Sequence, residues 1–401
     1  MHRSDIESLQ LQVLTSFHEK FPSIQLSGKV KEVFLSTPRH NYVRKIISEH
    51  DAETIDITEQ NISNYLNIIY KDTYLPIKLS RNGDIVSSIS QPSLVLLMLE
   101  MAELKFGESV LEIGSASGWN AAMLSKLVGT SGSVDTIEID PDLAQQAKQN
   151  LRDNDREEVV VHCADGARGI KGKHYDAIIY TVGIYDVPSE IYEQLSEGGI
   201  LILVLKNHGG GDTLYKLRRT SSGFVSEEAL QCGFVQIQGD MRLPEFQPII
   251  VSQAPELKSL WDSLEGASFW FGEQNSKLFF WRSMAFRAFL SVSDPYFSIF
   301  STSKDIVEPS SEQVAFGLYN ADEKSLAVFQ NEKIQWSGSK WAKDRIYKRL
   351  NEWVMAGMPP LSAFGLECRL RAHIRKLNEQ EHIILRDETC FYYTNFPKFR
   401  E

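Results

Sequence analysis

The chain has 401 residues, 42% hydrophobic and 24% charged, with 53 acidic against 42 basic side chains and a formal charge of −11. That length and composition predict a soluble globular protein of two or three domains, and the acidic balance argues against a duplex nucleic-acid binder, which is normally basic. No apolar run approaches the ~18 residues of a membrane span, and Met1–Asp5 has no apolar stretch behind it, so neither a span nor a signal peptide is indicated. The four cysteines, Cys163, Cys232, Cys368 and Cys390, lack metal-ligand spacing and read as reduced thiols of a cytoplasmic chain with no metal site.

Residues 5–20 place Ile6, Leu9, Val13, Leu14 and Phe17 at helical spacing, which predicts an amphipathic packing helix. Residues 28–50 read as a second helix interrupted at Pro38, with Arg39 and His40 as solvated charges at a helix stop. The loop Ser87–Ser93 opens a helix from Leu94 to Leu104, with Ser90 or Ser93 as its N-cap. Then comes the stretch that organises the rest. Val110–Ile113 has strand character, Gly114-Ser115-Ala116-Ser117-Gly118 is a small-residue turn, and Ala121–Leu127 has helical composition. A strand that turns sharply under a ligand into a helix needs glycine where φ is positive or a backbone comes close.

Further strands follow at Ser133–Asp140, Val159–Cys163, Asp176–Tyr180 and Gly199–Leu205, with a helix at Pro141–Leu151 after the first. The alternation predicts an α/β fold: a doubly wound, mostly parallel Rossmann-like sheet with its ligand at the carboxyl ends of the strands. Glu138 lies about 20 residues past the glycine turn, where such units hold ribose hydroxyls. No Gly-Lys-Ser/Thr follows the glycines, which excludes a P-loop. Ala116 stands where a dinucleotide site has its second glycine, which disfavours NAD. S-adenosylmethionine suits the residues better: Glu112 is placed for its cationic amino-acid end and Asp165 for its adenine amino group.

Lys206–Arg219 reads as a hairpin-like pair around the glycines 209–211, and Pro244–Pro248 with Pro255 as a linker. Beyond it, Trp261, Phe269-Trp270-Phe271, Phe279-Phe280-Trp281 and Phe286 read as core. Val314–Tyr319 and Ser325–Phe329 read as a hairpin, Lys340–Ala356 as a helix, and Glu367–Arg371 and His382–Arg386 as strands: an α+β domain. The expected division is 1–105, N-terminal helices and substrate loop; 106–245, nucleotide-binding core; and 256–401, a C-terminal domain for peptide recognition.

Val110–Gly118, Thr136–Asp140, Asp165-Gly166, Tyr175–Thr181 and Ile191–Gly199 resemble the successive motifs of class I methyltransferases, and the last resembles protein-L-isoaspartate O-methyltransferases in particular. Phe34–Val43 is similar to that family's Phe-x-x-x-Pro-Arg-x-x-Phe-Val segment. Tyr70-Lys71-Asp72 and Ser87–Ser93 resemble its Tyr-x-Asp stretch and Thr-Ile-Ser-x-Pro substrate loop, and Phe234–Ile237 its closing strand. The resemblance covers roughly residues 1–245. It implies that Ser88 and Ser90 orient the acceptor carboxylate, and that Ser87, Ile89, Glu112, Gly114, Ser115, Ala116, Gly118, Glu138, Ile139, Asp165 and Gly166 face the cofactor, with S-adenosyl-L-homocysteine as product. It also implies that the corner at Arg39 and His40 packs under the site. Val95 departs from the pattern, standing where the repair enzymes often carry a His. The order of elements after 256 looks like the extension of methyltransferases associated with lanthipeptide and FxLD-system ribosomal-peptide biosynthesis.

The expectation is therefore an S-adenosylmethionine-dependent carboxyl O-methyltransferase of peptides or proteins, with no nucleic-acid or membrane partner. The methylated group is an aspartate side chain that proceeds to succinimide and isoaspartate, or a C-terminal carboxylate, in ribosomal-peptide maturation. Repair of isoaspartyl proteins is the alternative. A non-catalytic adaptor that retains the cofactor is a second alternative, and an NAD-dependent reductase a distant third.

Overall fold

Val110, Leu111 and Ile113 are each at most 2% exposed, because their strand, Ser109–Ile113, is flanked on both sides. It pairs in parallel with Ser133–Glu138, Glu112 opposite Thr136, and with Tyr175–Ile184, Glu112 opposite Ile179. Ser133–Glu138 pairs in turn with Val160–Cys163. Leu195–Leu205 lies beyond Tyr175–Ile184, followed by Thr213–Thr220 and Gly223–Gln231. The chain thus runs outward one way to Val160–Cys163, then outward the other way from Tyr175. This reversal leaves a crevice at the carboxyl ends of Ser109–Ile113 and Tyr175–Ile184. The fold is the expected α/β sheet, with a strand-rich C-terminal region added.

The structure, a computed structural model, describes residues 3–48, 52–207, 209–210, 212–242, 248–268, 276–303, 314–330, 333–378 and 381–394. The chain divides into two compact units. One comprises Met1–Val204, Tyr215–Glu227 and Phe234–Arg242, and the other Leu205–Leu214, Glu228–Gly233 and Leu243–Glu401. The boundary is therefore crossed several times.

In the first unit the helix Arg3–Lys20 buries Ile6, Val13 and Phe17, and Gln10 on the same face donates to the Phe34 and Leu35 carbonyls. The helix Pro92–Met101 is buried almost all round, from Leu94 through Leu99. The helix Pro141–Asp153 starts at Asp140, whose carboxylate accepts the Asp142 and Leu143 N–H groups.

Three sequence expectations need correction. The second helix does not resume after Pro38: Gly28–Leu35 ends first, and the chain makes one 3-10 turn, Arg39–Tyr42, then a short strand, Lys45–Ile47, paired with Thr54–Asp56. Neither Ser90 nor Ser93 caps the next helix. The cap position is Gln91, and Asp72, 21 residues upstream, accepts the Ser93 N–H at 2.8 Å. Phe234–Ile237 is no strand, but makes a single parallel bridge, Gly183 to Gln236.

In the second unit a six-stranded sheet runs in the order Ile249–Ile250, Phe297–Ser301, Val314–Asn320, Ser325–Gln330, Lys333–Gly338 and Glu265–Ser268. The hairpin at 314–330 is as expected. Pro255 does not belong to a linker; it opens the helix Pro255–Asp262. The segment 243–247 and Phe269-Trp270-Phe271 fall outside the described residues. Helices Ser276–Ser293 and Lys340–Met355 pack on this sheet. Phe286, fully buried, has ring contacts with Phe316, Phe329 and Trp353 at 5.4 to 6.4 Å. Gly365–Leu370, Thr389–Thr394 and Glu381–Leu385 form an antiparallel trio with Thr389–Thr394 central. Phe286→Ala removes the ring on which these aromatics converge and should lower stability by about 3–5 kcal/mol, read as a drop in urea midpoint at unchanged m-value.

Candidate active site

The glycine turn is fixed by close approach. Gly114 has φ +105°, and a Cβ there would lie 2.5 Å from Thr181 Oγ1. Gly118 has φ +82°, and a Cβ would stand 3.3 Å from both the Ala147 carbonyl and the Leu151 side chain. Its role is to let the helix Trp119–Val128 lie against Pro141–Asp153. Ala116 adopts a left-handed φ of 45°, which turns its N–H onto the Glu138 carboxylate at 2.9 Å.

Of the residues picked from the sequence, Ser87, Ser88, Ile89, Ser90, Glu112, Gly114, Ser115, Ala116, Glu138, Ile139 and Gly166 line one cavity. Gly118 and Asp165 do not. The Asp165 carboxylate accepts the Ala167 N–H on one oxygen and the Asp240 N–H, at 2.7 Å, on the other. Asp165 therefore braces the segment that carries Gln236, Ile237 and Gln238 into the cavity, rather than facing it.

Glu112 is fully buried, accepting from Asn120 Nδ2 at 2.7 Å and from Thr136 Oγ1 at 2.5 Å. Both bonds favour the charged form, yet burial outweighs them and pushes the carboxyl up to about 7. The Asn120 Oδ1, also lining the cavity, is buried without a hydrogen-bond partner. Glu138 accepts the Ala116 N–H on one oxygen and the Asp140 N–H on the other. Burial raises its pKa as well. Asn120 and Thr136 escaped the sequence reading. The parallel register alone would have found Thr136, directly opposite Glu112. Gln236 and Gln238 carry no such signal, because one bridge places their segment.

Arg39 is 1% exposed, which corrects the picture of solvated charges and bears out the packed corner. Its guanidinium donates to the carbonyls of Ile69 at 2.5 Å, Ile89 at 3.1 Å and Ser90 at 3.0 Å, with longer bonds to Lys71 and Thr73. Burial lowers its pKa to about 9, leaving it charged at neutral pH. It lies over the Trp119 ring, whose Nε1 donates to the Thr37 carbonyl. His40 Nδ1 is 2.8 Å from the Tyr70 hydroxyl. The loop's other ties are Asp72, which also accepts from Ser16 and Lys20, and Lys78, which pairs with Asp140 two residues past Glu138. Ser88 lies opposite Pro76 in the hairpin Leu75–Leu79 and Ile85–Ile89. Val95 and Met98 add apolar wall.

A glycine turn at the switch point of a parallel sheet, with a buried acid near the end of each of the two strands beneath it, is a Rossmann-like nucleotide site. The family model "Protein-L-isoaspartate(D-aspartate) O-methyltransferase" matches residues 17–242. The protein-L-isoaspartate O-methyltransferase of Ignicoccus hospitalis is 37% identical over 172 residues, 43% of this chain and 79% of that protein. That of Pyrococcus horikoshii is 34% identical over 207 residues, 51% of this chain and 82% of its own length. A solved protein-L-isoaspartate O-methyltransferase superposes with a TM-score of 0.49 at 20% identity, covering 89% of this chain and 95% of that one. The chain belongs to the protein-L-isoaspartate (D-aspartate) O-methyltransferase family, and is an S-adenosylmethionine-dependent O-methyltransferase.

Two outcomes follow from the buried charges. Between about pH 4.5 and 7 the folded state holds a proton on Glu112 that the unfolded chain has released, so this group's contribution to stability falls as pH rises, by up to about 1.4 kcal/mol per unit. His40, whose pKa burial lowers, acts in the opposite direction. The difference between wild type and Glu112→Gln, in which His40 cancels, should decline across that window in urea titrations. Arg39→Leu strands the carbonyls of Ile89 and Ser90 and should cost about 3 kcal/mol, with faster proteolytic cleavage at 87–91.

Proposed function

We propose that this enzyme transfers a methyl group to a carboxylate of a peptide or protein, with isoaspartyl residues as the first candidate acceptor. The observation that carries the reading is a single cavity lined both by Glu112, Asn120 and Glu138 and by Ser88 and Ser90. The residues fit the cofactor: a buried carboxyl pushed up to about 7 beside an unpartnered amide oxygen is what an ammonium would satisfy. Glu138, with a backbone N–H on each oxygen, retains lone pairs for two ribose hydroxyls.

The cofactor supplies a methyl group on a sulfonium. The protein's task is placement, since a carboxylate oxygen needs no base to attack it. The Ser88 and Ser90 hydroxyls, both half-buried on the loop that Arg39 holds, orient the acceptor's second oxygen. Val86, Ile89, Val95 and Met98 add apolar wall to the same cavity and limit water.

The family and its relatives favour the isoaspartyl acceptor, reversing the order of preference drawn from the sequence. Maturation of a dedicated ribosomal peptide keeps two features in its support: Val95 in the acceptor wall, and a C-terminal unit outside the matched residues 17–242. Mass spectrometry of three peptides incubated with S-adenosylmethionine tests the readings. One contains isoaspartate, one ordinary aspartate, and one only a C-terminal carboxylate. Methylation confined to the first is expected; methylation of the second or third alone overturns the isoaspartyl reading, and cofactor binding without any methylation favours the adaptor. Ser90→Ala should lower kcat roughly 10- to 100-fold with cofactor affinity nearly unchanged. Glu138→Ala should instead weaken cofactor binding by about 10-fold or more, measured by calorimetry.

A further inference from the structure

Within the C-terminal unit, a cavity of about 960 Å³ lies against the strand Glu381–Leu385 and the turn joining the helix Ser276–Ser293 to the strand Phe297–Ser301. It shares no residue with the methyl-transfer cavity. Its chemistry is that of exposed main chain. The Arg386 N–H donates to the Thr389 carbonyl at 2.9 Å, and the ladder continues with Ile384 opposite Phe391 and Ile383 opposite Tyr392. Antiparallel alternation then turns the N–H and C=O groups of Ile383 and Leu385 away from Thr389–Thr394, and those of Glu381 too, whose N–H is taken by the Asn378 carbonyl at 3.3 Å. They face an edge that carries no strand among the described residues. A second edge opens beside it: Ile249–Ile250 pairs with Phe300 and Ser301 only, which leaves Phe297–Ile299 uncovered on that side.

Two buried polar atoms complete the site. Asn207 Oδ1 and Ser293 Oγ, on residues 6% and 5% exposed, line this cavity with no hydrogen-bond partner. The lining charges balance, Arg349 and Arg386 against Asp294 and Glu381, so the site selects no net charge and does not suit a nucleotide or other anion. Leu385, 48% exposed on an open edge, is what natural sheets avoid unless another strand is received there.

We propose that this groove binds an extended stretch of the polypeptide substrate as an added strand, bonded through its main chain to the outward groups of Ile383 and Leu385. Asn207 and Ser293 meet further amides of the guest, and apolar side chains of the guest settle on Ile299 and Ile383. The five-residue edge gives a contact about 17 Å long. This rests on the reading of the substrate as a peptide or protein, and assigns the C-terminal unit the task of holding that chain by its backbone.

The test uses the full-length protein and a dansyl-labelled, C-terminally amidated peptide of about fifteen residues, alternating valine and threonine between terminal lysines. The peptide has no carboxylate to methylate, so its binding is scored separately from the proposed activity. Fluorescence anisotropy should show saturable binding. Ile383→Pro, which deletes an outward N–H and leaves the inner ladder whole, should weaken it at least tenfold, as should Leu385→Lys, which sets a charge on the edge. Because Leu385 is half exposed, that variant keeps the test informative if the proline variant has a lowered melting temperature. Absence of saturable binding to the wild type overturns the proposal, as does unchanged affinity in Leu385→Lys. Concentration-dependent dimerisation that Leu385→Lys abolishes and the peptide does not displace also overturns it, by assigning the edge to a second copy of the chain.

Discussion

A buried guanidinium with no carboxylate in contact must find its partners among backbone carbonyls, and Arg39 finds five of them on two stretches of chain 30 to 51 residues downstream. Those stretches are the segment at 69–73 and the end of the hairpin that carries Ser88 and Ser90. Beneath the guanidinium lies Trp119, the first residue of the helix leaving the glycine turn, tied back to Thr37 by its indole N–H. One cation thus holds the loop of Ser88 and Ser90 and the start of the helix after the glycine turn in a common frame. Removing the charge leaves unpaired carbonyls in a place water cannot reach, which is the physical reason for retaining so costly a group.

The cavity itself is built on the opposite imbalance. Glu112 and Glu138 are both desolvated, both pushed upward by burial, and Coulomb repulsion from Glu138 adds to the shift at Glu112. Their hydrogen-bond donors are amides and hydroxyls, with no basic side chain among them. A site of this kind disfavours charge on both acids and rewards a ligand that brings its own positive charge. The stability it forgoes when empty is returned as differential affinity for a cation over a neutral look-alike.

The sheet and the cofactor turn were legible in the sequence because both are local: apolar runs, a turn of small residues, and an acid at fixed spacing. Most of the cavity lining came with them. What escaped is what depends on pairing across distance. Thr136 enters through strand register, Asn120 through a buried helix face, and Gln236 and Gln238 through a solitary bridge. Arg39 read as solvated because composition cannot show that carbonyls wait for it. Ser93 read as a cap because the true acceptor, Asp72, comes from a different segment. Asp165 looked like an adenine ligand, but it lies outside the cavity lining and accepts backbone amides that fix the segment behind it.

The C-terminal unit takes chain from Leu205–Leu214 and Glu228–Gly233 as well as from residues beyond 243. These two excursions interrupt the methyltransferase sequence itself. During synthesis they leave the ribosome well before the segments that complete their unit, such as the strand Thr389–Thr394. Leu214, at the end of the first excursion, is fully buried. The appended unit is therefore not a tail that can be trimmed at one bond. Its assembly waits on residues beyond 243, which are made after both excursions.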